Sequence, residues 1–216
     1  MGAISAWFDL EDWGHSRNAM RVIAGTFRSR PLLAPAGMDT RPTADRLRET
    51  LFNVLTNGVV NRVAGAGFLD LYAGSGAVGI EALSRGAASV TFVEQGVAAL
   101  SVLTKNLANL GIRAGVRTEK RSVGRFLRGA VEKGGSKPEP GGFGVVFLDP
   151  PYDLTDEYAL TLGLLGGECA GLLAPGAVVV AEHRRKQVLA DGYGLLRRVR
   201  LLEQGDAGLS FYEVAG

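Results

Sequence analysis

Two short runs of this sequence place chemistry-bearing groups at telling positions. Asp149-Pro150-Pro151-Tyr152 follows the apolar run Val145-Val146-Phe147-Leu148, and its two prolines fix φ and bias each preceding residue away from the helix. A strand ending this way offers rigid acceptors: the Asp149 carboxylate and the Pro150 carbonyl. An exocyclic base amine is a poor nucleophile because its lone pair is delocalised into the ring. Two acceptors on its N–H groups would orient it and favour pyramidalisation toward an activated methyl. Tyr152 would stack on the extruded base, a contact worth about 1–3 kcal/mol. The plainer alternative is a polar strand end with a proline stop and a core tyrosine.

The second run is Phe68-Leu69-Asp70-Leu71-Tyr72 leading into Ala73-Gly74-Ser75-Gly76-Ala77-Val78-Gly79. Here a strand feeds a glycine turn at a helix start, where free N–H groups and the helix dipole favour an anionic group. Glu94 lies twenty positions after Gly74, where a carboxylate can accept hydrogen bonds from ribose hydroxyls. Asp70 could receive the ammonium of an aminoacyl ligand, or simply cap the helix that follows. The same pattern fits the dinucleotide fingerprint, so an NAD-dependent oxidoreductase stays open at this point.

Net charge is +2 over 216 residues, yet between Met20 and Thr50 six arginines (Arg21, Arg28, Arg30, Arg41, Arg46 and Arg48) face three acids. Such a local excess can neutralise phosphates without reading sequence. Arg46 and Arg48 could equally pair with Asp45 or Glu49. Arg184 and Arg185, with Lys186, extend the candidate footprint. His15 and His183 have no neighbouring ligand set, so no metal site is expected, and His183 is read as a surface residue beside Glu182. The lone Cys169 is expected in the core and suits a reducing compartment. No apolar run reaches the ~20 residues of a membrane span, and the acids near the start do not resemble a signal peptide. A cytoplasmic protein is expected.

The elements that must position these groups alternate. Strands are expected at 67–72, 89–94, 114–119, 143–148, 176–182, 194–202 and 208–214, with helices at 77–85, 97–109, 122–132 and 157–168 between the first five. This pattern predicts a Rossmann-like α/β fold, a parallel sheet covered on both faces, with the last two strands as an antiparallel hairpin. Before it, 21–33 reads as a short hairpin and 43–55 as a helix. Residues 1–19 show no sustained period and are read as an extension, 20–58 as a basic nucleic-acid-facing segment, and 59–216 as the main domain.

With these residues on the page, the chain resembles a known family. Arg41-Pro42-Thr43, Asp45-Arg46, Arg48-Glu49-Thr50-Leu51-Phe52-Asn53, Asp70 to Gly76, Glu81 to Ala87, Glu94 and Asp149 to Tyr152 look like the RsmD family of 16S rRNA guanine-N2 methyltransferases, from Met20 nearly to the C-terminus. The resemblance implies a class I methyltransferase fold with a seven-stranded sheet whose last strand is antiparallel. It implies S-adenosylmethionine as donor, no metal, and as substrate 16S rRNA within a folded small ribosomal subunit, with the enzyme acting as a monomer. Asp149, Pro150 and Tyr152 would then be catalytic; Asp70, Tyr72, Gly74, Ser75, Gly76, Glu94 and Ser122 would hold the donor. Ser122 departs from the Asp or Asn usual in the family, Gly96 from an Asp, and Gln204 from an aromatic. An adenine-N6 methyltransferase and a non-catalytic RNA-binding protein remain as alternatives.

Overall fold

A computed structural model describes residues 20–34, 42–132, 139–151 and 153–215. Arg41, Tyr152 and the expected extension over 1–19 lie outside the described residues. Helix α1 (Pro42–Thr56) leads into an alternation of β1 (Gly67–Leu71), α2 (Ala77–Ser84), β2 (Ser89–Val93), α3 (Val97–Asn109), β3 (Val116–Glu119), α4 (Val123–Glu132), β4 (Phe143–Leu148) and α5 (Asp156–Gly166). A 3-10 turn at Ala170–Leu172 precedes β5 (Leu173–Arg184), then β6 (Gly192–Tyr193), β7 (Leu196–Gln204) and β8 (Ala207–Val214).

These strands form one sheet in the order β3-β2-β1-β4-β5-β8-β7-β6. The first five are parallel, β8 runs antiparallel to β5, and β7 pairs antiparallel with β8. Eight strands are present where seven were expected. The addition, β6, is a two-residue pairing of Gly192 and Tyr193 with Arg197 and Leu196, too short to show a period in the sequence. The expected hairpin at 21–33 is a short one: Arg21 and Pro31 make an isolated antiparallel bridge, flanked by bonds from the Val22 N–H to the Arg30 carbonyl at 3.0 Å and from the Leu32 N–H to the Met20 carbonyl at 2.8 Å.

Alternation along the strands sends side chains into two cores. Phe68, Val145, Phe147, Val178 and Val180 pack with α1, α2 and α3, while Leu69, Leu71, Val146, Leu148 and Val179 pack with α4 and α5. Near-continuous apolar strands are what a sheet covered on both faces requires. Leu47, Leu51, Phe52 and Leu55 of α1, with Val22 and Leu32, belong to the first core. Cys169 is buried in the second.

The segment before α1 is pinned by one buried carboxylate. Glu81, within α2 and fully buried, accepts the Ile23 N–H at 2.7 Å, the Ala24 N–H at 3.0 Å and the Arg85 Nε–H at 2.6 Å. Its neighbour Ser84 accepts the Phe27 N–H at 2.9 Å. Glu81→Ala removes the acceptor for two backbone donors and leaves Arg85 without its buried counter-charge. We expect a loss of about 3 kcal/mol or more in urea unfolding, with Glu81→Gln losing less.

Candidate active site

Parallel register decides what meets at the carboxyl edge of the sheet. Asp70 pairs with Phe147, and Leu148 with Ala181, so the residues just past β4 and at the end of β5, Asp149 and Glu182, are neighbours. By alternation both project to the face covered by α1, as does Asp70.

The glycine loop sits at the mouth of β1. Tyr72 (φ 61°), Gly74 (φ 56°) and Gly76 (φ 79°) all take left-handed backbone, turning the chain within one residue of β1's end. Glycine is required at Gly76 on two grounds: its φ, and a Cβ that would lie 2.3 Å from Leu103 Cδ1. Glu94 holds the loop from the side, accepting the Gly74 N–H at 2.9 Å and the Gly96 N–H at 2.6 Å. Gly96, the departure from an acid, thus contributes its backbone donor. Asn106 of α3, buried, donates to the Ser75 carbonyl at 3.0 Å and to the Leu33 carbonyl at 3.0 Å, and accepts the Leu33 N–H at 2.7 Å. No local pattern marks it in the sequence.

Asp70 does cap the following helix: its Oδ2 accepts the Gly79 N–H at 2.9 Å. The second carboxylate oxygen remains for a ligand. Burial pushes its carboxyl up to about 8, opposed by the Gly79 hydrogen bond and reinforced by the nearby charges of Asp149 and Glu94. Burial likewise pushes Asp149 up to about 7. Glu182 is raised well above the usual carboxylate range by burial and by Asp149, with Arg48 acting in the opposite sense.

Other sequence-predicted residues fall differently. The Tyr72 hydroxyl is committed to α5, donating to Glu157 at 2.6 Å and lying 2.8 Å from Thr161 Oγ1, so only its ring and backbone face the loop's surroundings. Ser122 sits at the start of α4, its carbonyl accepting the Phe126 N–H at 3.0 Å. Gln204 accepts the Thr50 hydroxyl at 2.8 Å, tying the end of β7 to α1.

Arg48 is corrected: it is not a solvent-facing phosphate contact but a buried cation, its side chain 6% exposed. It donates to the Arg21 carbonyl at 2.6 Å and to Asp45 at 2.9 Å, the internal pairing that the i, i+3 spacing allowed. Arg21, Arg28, Arg30 and Arg46 are exposed. Arg30 reaches the Asn109 carbonyl at 3.1 Å, at the last residue of α3, which places it with Arg28 toward the edge where the strands begin, opposite Asp149. Arg46, Arg184 and Arg185 lie at the carboxyl edge, Arg185 pairing with Glu203 at 3.0 Å. His183 is a second correction. It is 3% exposed, its Nδ1 is 2.9 Å from the Arg184 carbonyl and its Nε2 2.9 Å from Ser210 Oγ, which makes it a neutral, structural imidazole. The carbonyl takes the Nδ1 proton, and the serine hydroxyl donates to Nε2.

The raised carboxyls make ligand binding pH-dependent. A cation at the free Asp70 oxygen favours the ionised form of that carboxyl, so binding releases a proton and tightens as pH rises toward about 8. The ligand-free fold shows the opposite trend. Its carboxyls bind protons more tightly than those of the unfolded chain, so their contribution to stability falls as pH climbs from about 4 to about 8. Calorimetric titration of S-adenosylmethionine across this range, in buffers of different ionisation enthalpy, should show that proton release. Uncharged-sulfur S-adenosylhomocysteine should show less.

The comparisons with known proteins agree with this architecture. The family model described as "Conserved hypothetical protein 95" matches residues 20–213. Ribosomal RNA small subunit methyltransferase D of Escherichia coli strain K12 is 42% identical over 166 residues, 76% of this chain and 74% of that protein. YlbH of Bacillus subtilis, named as a candidate rRNA methyltransferase, is 34% identical over 206 residues, 91% of this chain and all of its own length (100%). The solved structure of yhhF from Escherichia coli, described as a candidate methyltransferase, superposes with a TM-score of 0.73 at 31% identity, covering 91% of this chain and 98% of that one. The sheet is that of a class I methyltransferase, and the chain belongs to the conserved hypothetical protein 95 family, the RsmD methyltransferases.

Proposed function

We propose that this protein transfers a methyl group from S-adenosylmethionine to the N2 amine of a guanine in the 16S rRNA of the small ribosomal subunit. The observation that carries the reading is the juxtaposition, across β1 and β4, of a glycine loop shaped for close backbone approach with the Asp149-Pro150 acceptors. The relatives named as small-subunit rRNA methyltransferases support the choice of substrate.

The residues present fit the donor. Gly74, Ser75 and Gly76 offer a close-approach cradle at a helix start, Glu94 an acceptor for a ribose diol, and Asp70 a free carboxylate oxygen for an ammonium, with Tyr72 and Ser122 at the margins. S-adenosylmethionine, when bound, supplies a methyl group on a positively charged sulfur. Asp149 and the Pro150 carbonyl accept the two N–H bonds of the target amine and direct its lone pair. As positive charge develops on that nitrogen, the preorganised carboxylate stabilises it more than the ground state. A carboxyl raised to about 7 is far more basic than a protonated base amine, so Asp149 can hold the departing proton. Tyr152 would stack on the extruded base. Arg21, Arg28, Arg30, Arg41, Arg46, Arg184 and Arg185 form the proposed phosphate-facing surface of a monomeric enzyme working on assembled or assembling subunits in the cytoplasm. Residues 1–19 are proposed to be dispensable.

Mass mapping of modified nucleosides in small-subunit RNA from cells with and without the gene tests the reaction. Loss of one N2-methylguanosine supports it; loss of an N6-methyladenosine instead would move the assignment to adenine. In single-turnover assays on purified subunits, Asp149→Ala should bind S-adenosylmethionine nearly normally yet lose most turnover, and Asp149→Asn should keep part of it. A fully active Asp149→Ala enzyme would remove that residue from the mechanism.

Position distinguishes the arginines. Removing Arg46 and Arg184 together should lower the slope of log affinity against log salt by about 1–2. Removing Arg28 and Arg30, at the opposite edge, should change it less. Equal slopes for the two pairs would show that the substrate wraps both edges.

A further inference from the structure

We propose that Glu182 is the residue that selects guanine, its carboxylate accepting the N1–H of the base while Asp149 accepts the neighbouring N2 amine. The inference rests on the functional reading above and names the specificity element of that same site.

Four observations carry it. Leu148 and Ala181 are register partners on parallel β4 and β5, so Asp149 and Glu182 leave adjacent strands side by side. Alternation from Val178 and Val180, which pack against α1, sends Glu182 to the same face as Asp149. The Glu182 backbone is fixed there by a 2.9 Å hydrogen bond from the Tyr158 hydroxyl to its carbonyl. Beneath that face lies Arg48, a buried cation whose Nε has no hydrogen-bond partner among the described residues and which acts electrostatically on Glu182.

The chemistry follows from the base edges. Guanine presents two adjacent donors, N1–H and the N2 amine, on the edge that an extruding enzyme reads. Two carboxylates spaced as strand neighbours offer two adjacent acceptors. Adenine presents a lone pair at N1 beside its amine, which would face the second carboxylate as acceptor against acceptor. The Asp149 charge raises the proton affinity of Glu182 beside it, and a donor–donor edge between the two relieves that repulsion. Arg48 favours the ionised form of Glu182 from behind. A site built to satisfy a hydrogen-bond donor discriminates strongly against an analogue lacking it.

The test compares small subunits carrying guanine at the methylated position with subunits reconstituted to carry 2-aminopurine there, which keeps the amine but has a bare N1. Wild-type enzyme should methylate the guanine particle at least about tenfold faster in single turnover. Glu182→Gln, whose amide can present either a donor or an acceptor, should bring that ratio toward one, chiefly by slowing guanine. Glu182→Asp, which keeps the charge but shortens the reach, should fall between. S-adenosylmethionine affinity within about twofold of wild type certifies that the variants are folded. A merely structural partner of Arg48 would lower both rates and leave the ratio unchanged, and that result overturns the inference alone. A wild-type enzyme that methylates no guanine N2 overturns the functional reading and this inference with it.

Discussion

Each of the five parallel strands ends at a carboxylate: Asp70 within β1, Glu94 just past β2, Glu119 at the end of β3, Asp149 just past β4 and Glu182 near the end of β5. Parallel pairing collects them on one edge, and the surrounding structure is organised around how each is balanced. Asp70 takes the Gly79 N–H, Glu94 the N–H groups of Gly74 and Gly96, and Glu119 the guanidinium groups of Arg117 and Arg121. Glu182 has Arg48 within electrostatic reach. Asp149 receives no hydrogen bond from any described residue. A carboxyl without a charged partner in such a setting shifts toward its neutral form, the direction in which Asp149 is moved.

Helix α1 and the segment before it are tied to the same edge of the sheet. Arg48 reaches the carboxyl edge because α1 packs its apolar stripe into the first core. The segment from Met20 to Leu33 is held by Glu81, Ser84 and Asn106, all on helices flanking the glycine loop. Helix, loop and strand ends therefore form one cooperative unit on the α1 face, while α4 and α5 close the other face and tie down Tyr72.

Much of this was legible in the sequence because the signals are local. The glycine run after an apolar strand, the alternation of strands and helices, and the proline stop after Leu148 each depend on residues within one or two turns. What was not legible depends on distance. Asn106 bonds to residues 31 and 73 positions away, and Glu182 acquires meaning only when β5 lies against β4. His183 was misread although the period-2 pattern Val179-Ala181-His183 marks it as inward. One polar residue at the end of an apolar run looks like the start of a loop. The hairpin at 21–33 is present but short: its arms bond each other around the Arg21–Pro31 bridge, and the N–H groups of Ile23, Ala24, Phe27 and Leu33 go to helix side chains instead of extending the ladder. Arg48 was divided between surface and pairing because spacing to Asp45 shows that a bond can form, not that it is buried.

The Asn106 amide has a thermodynamic consequence. One side chain holds the Ser75 carbonyl of the glycine loop and both backbone groups of Leu33, so the two segments share a single latch. Whatever stiffens the loop stiffens the arginine-bearing stretch before it, and by linkage the effect is equal in the other direction. Under the proposed function, donor at the loop and nucleic acid at the arginine-bearing stretch would be coupled through three hydrogen bonds on one amide, each raising the other's affinity by the same factor whichever arrives first.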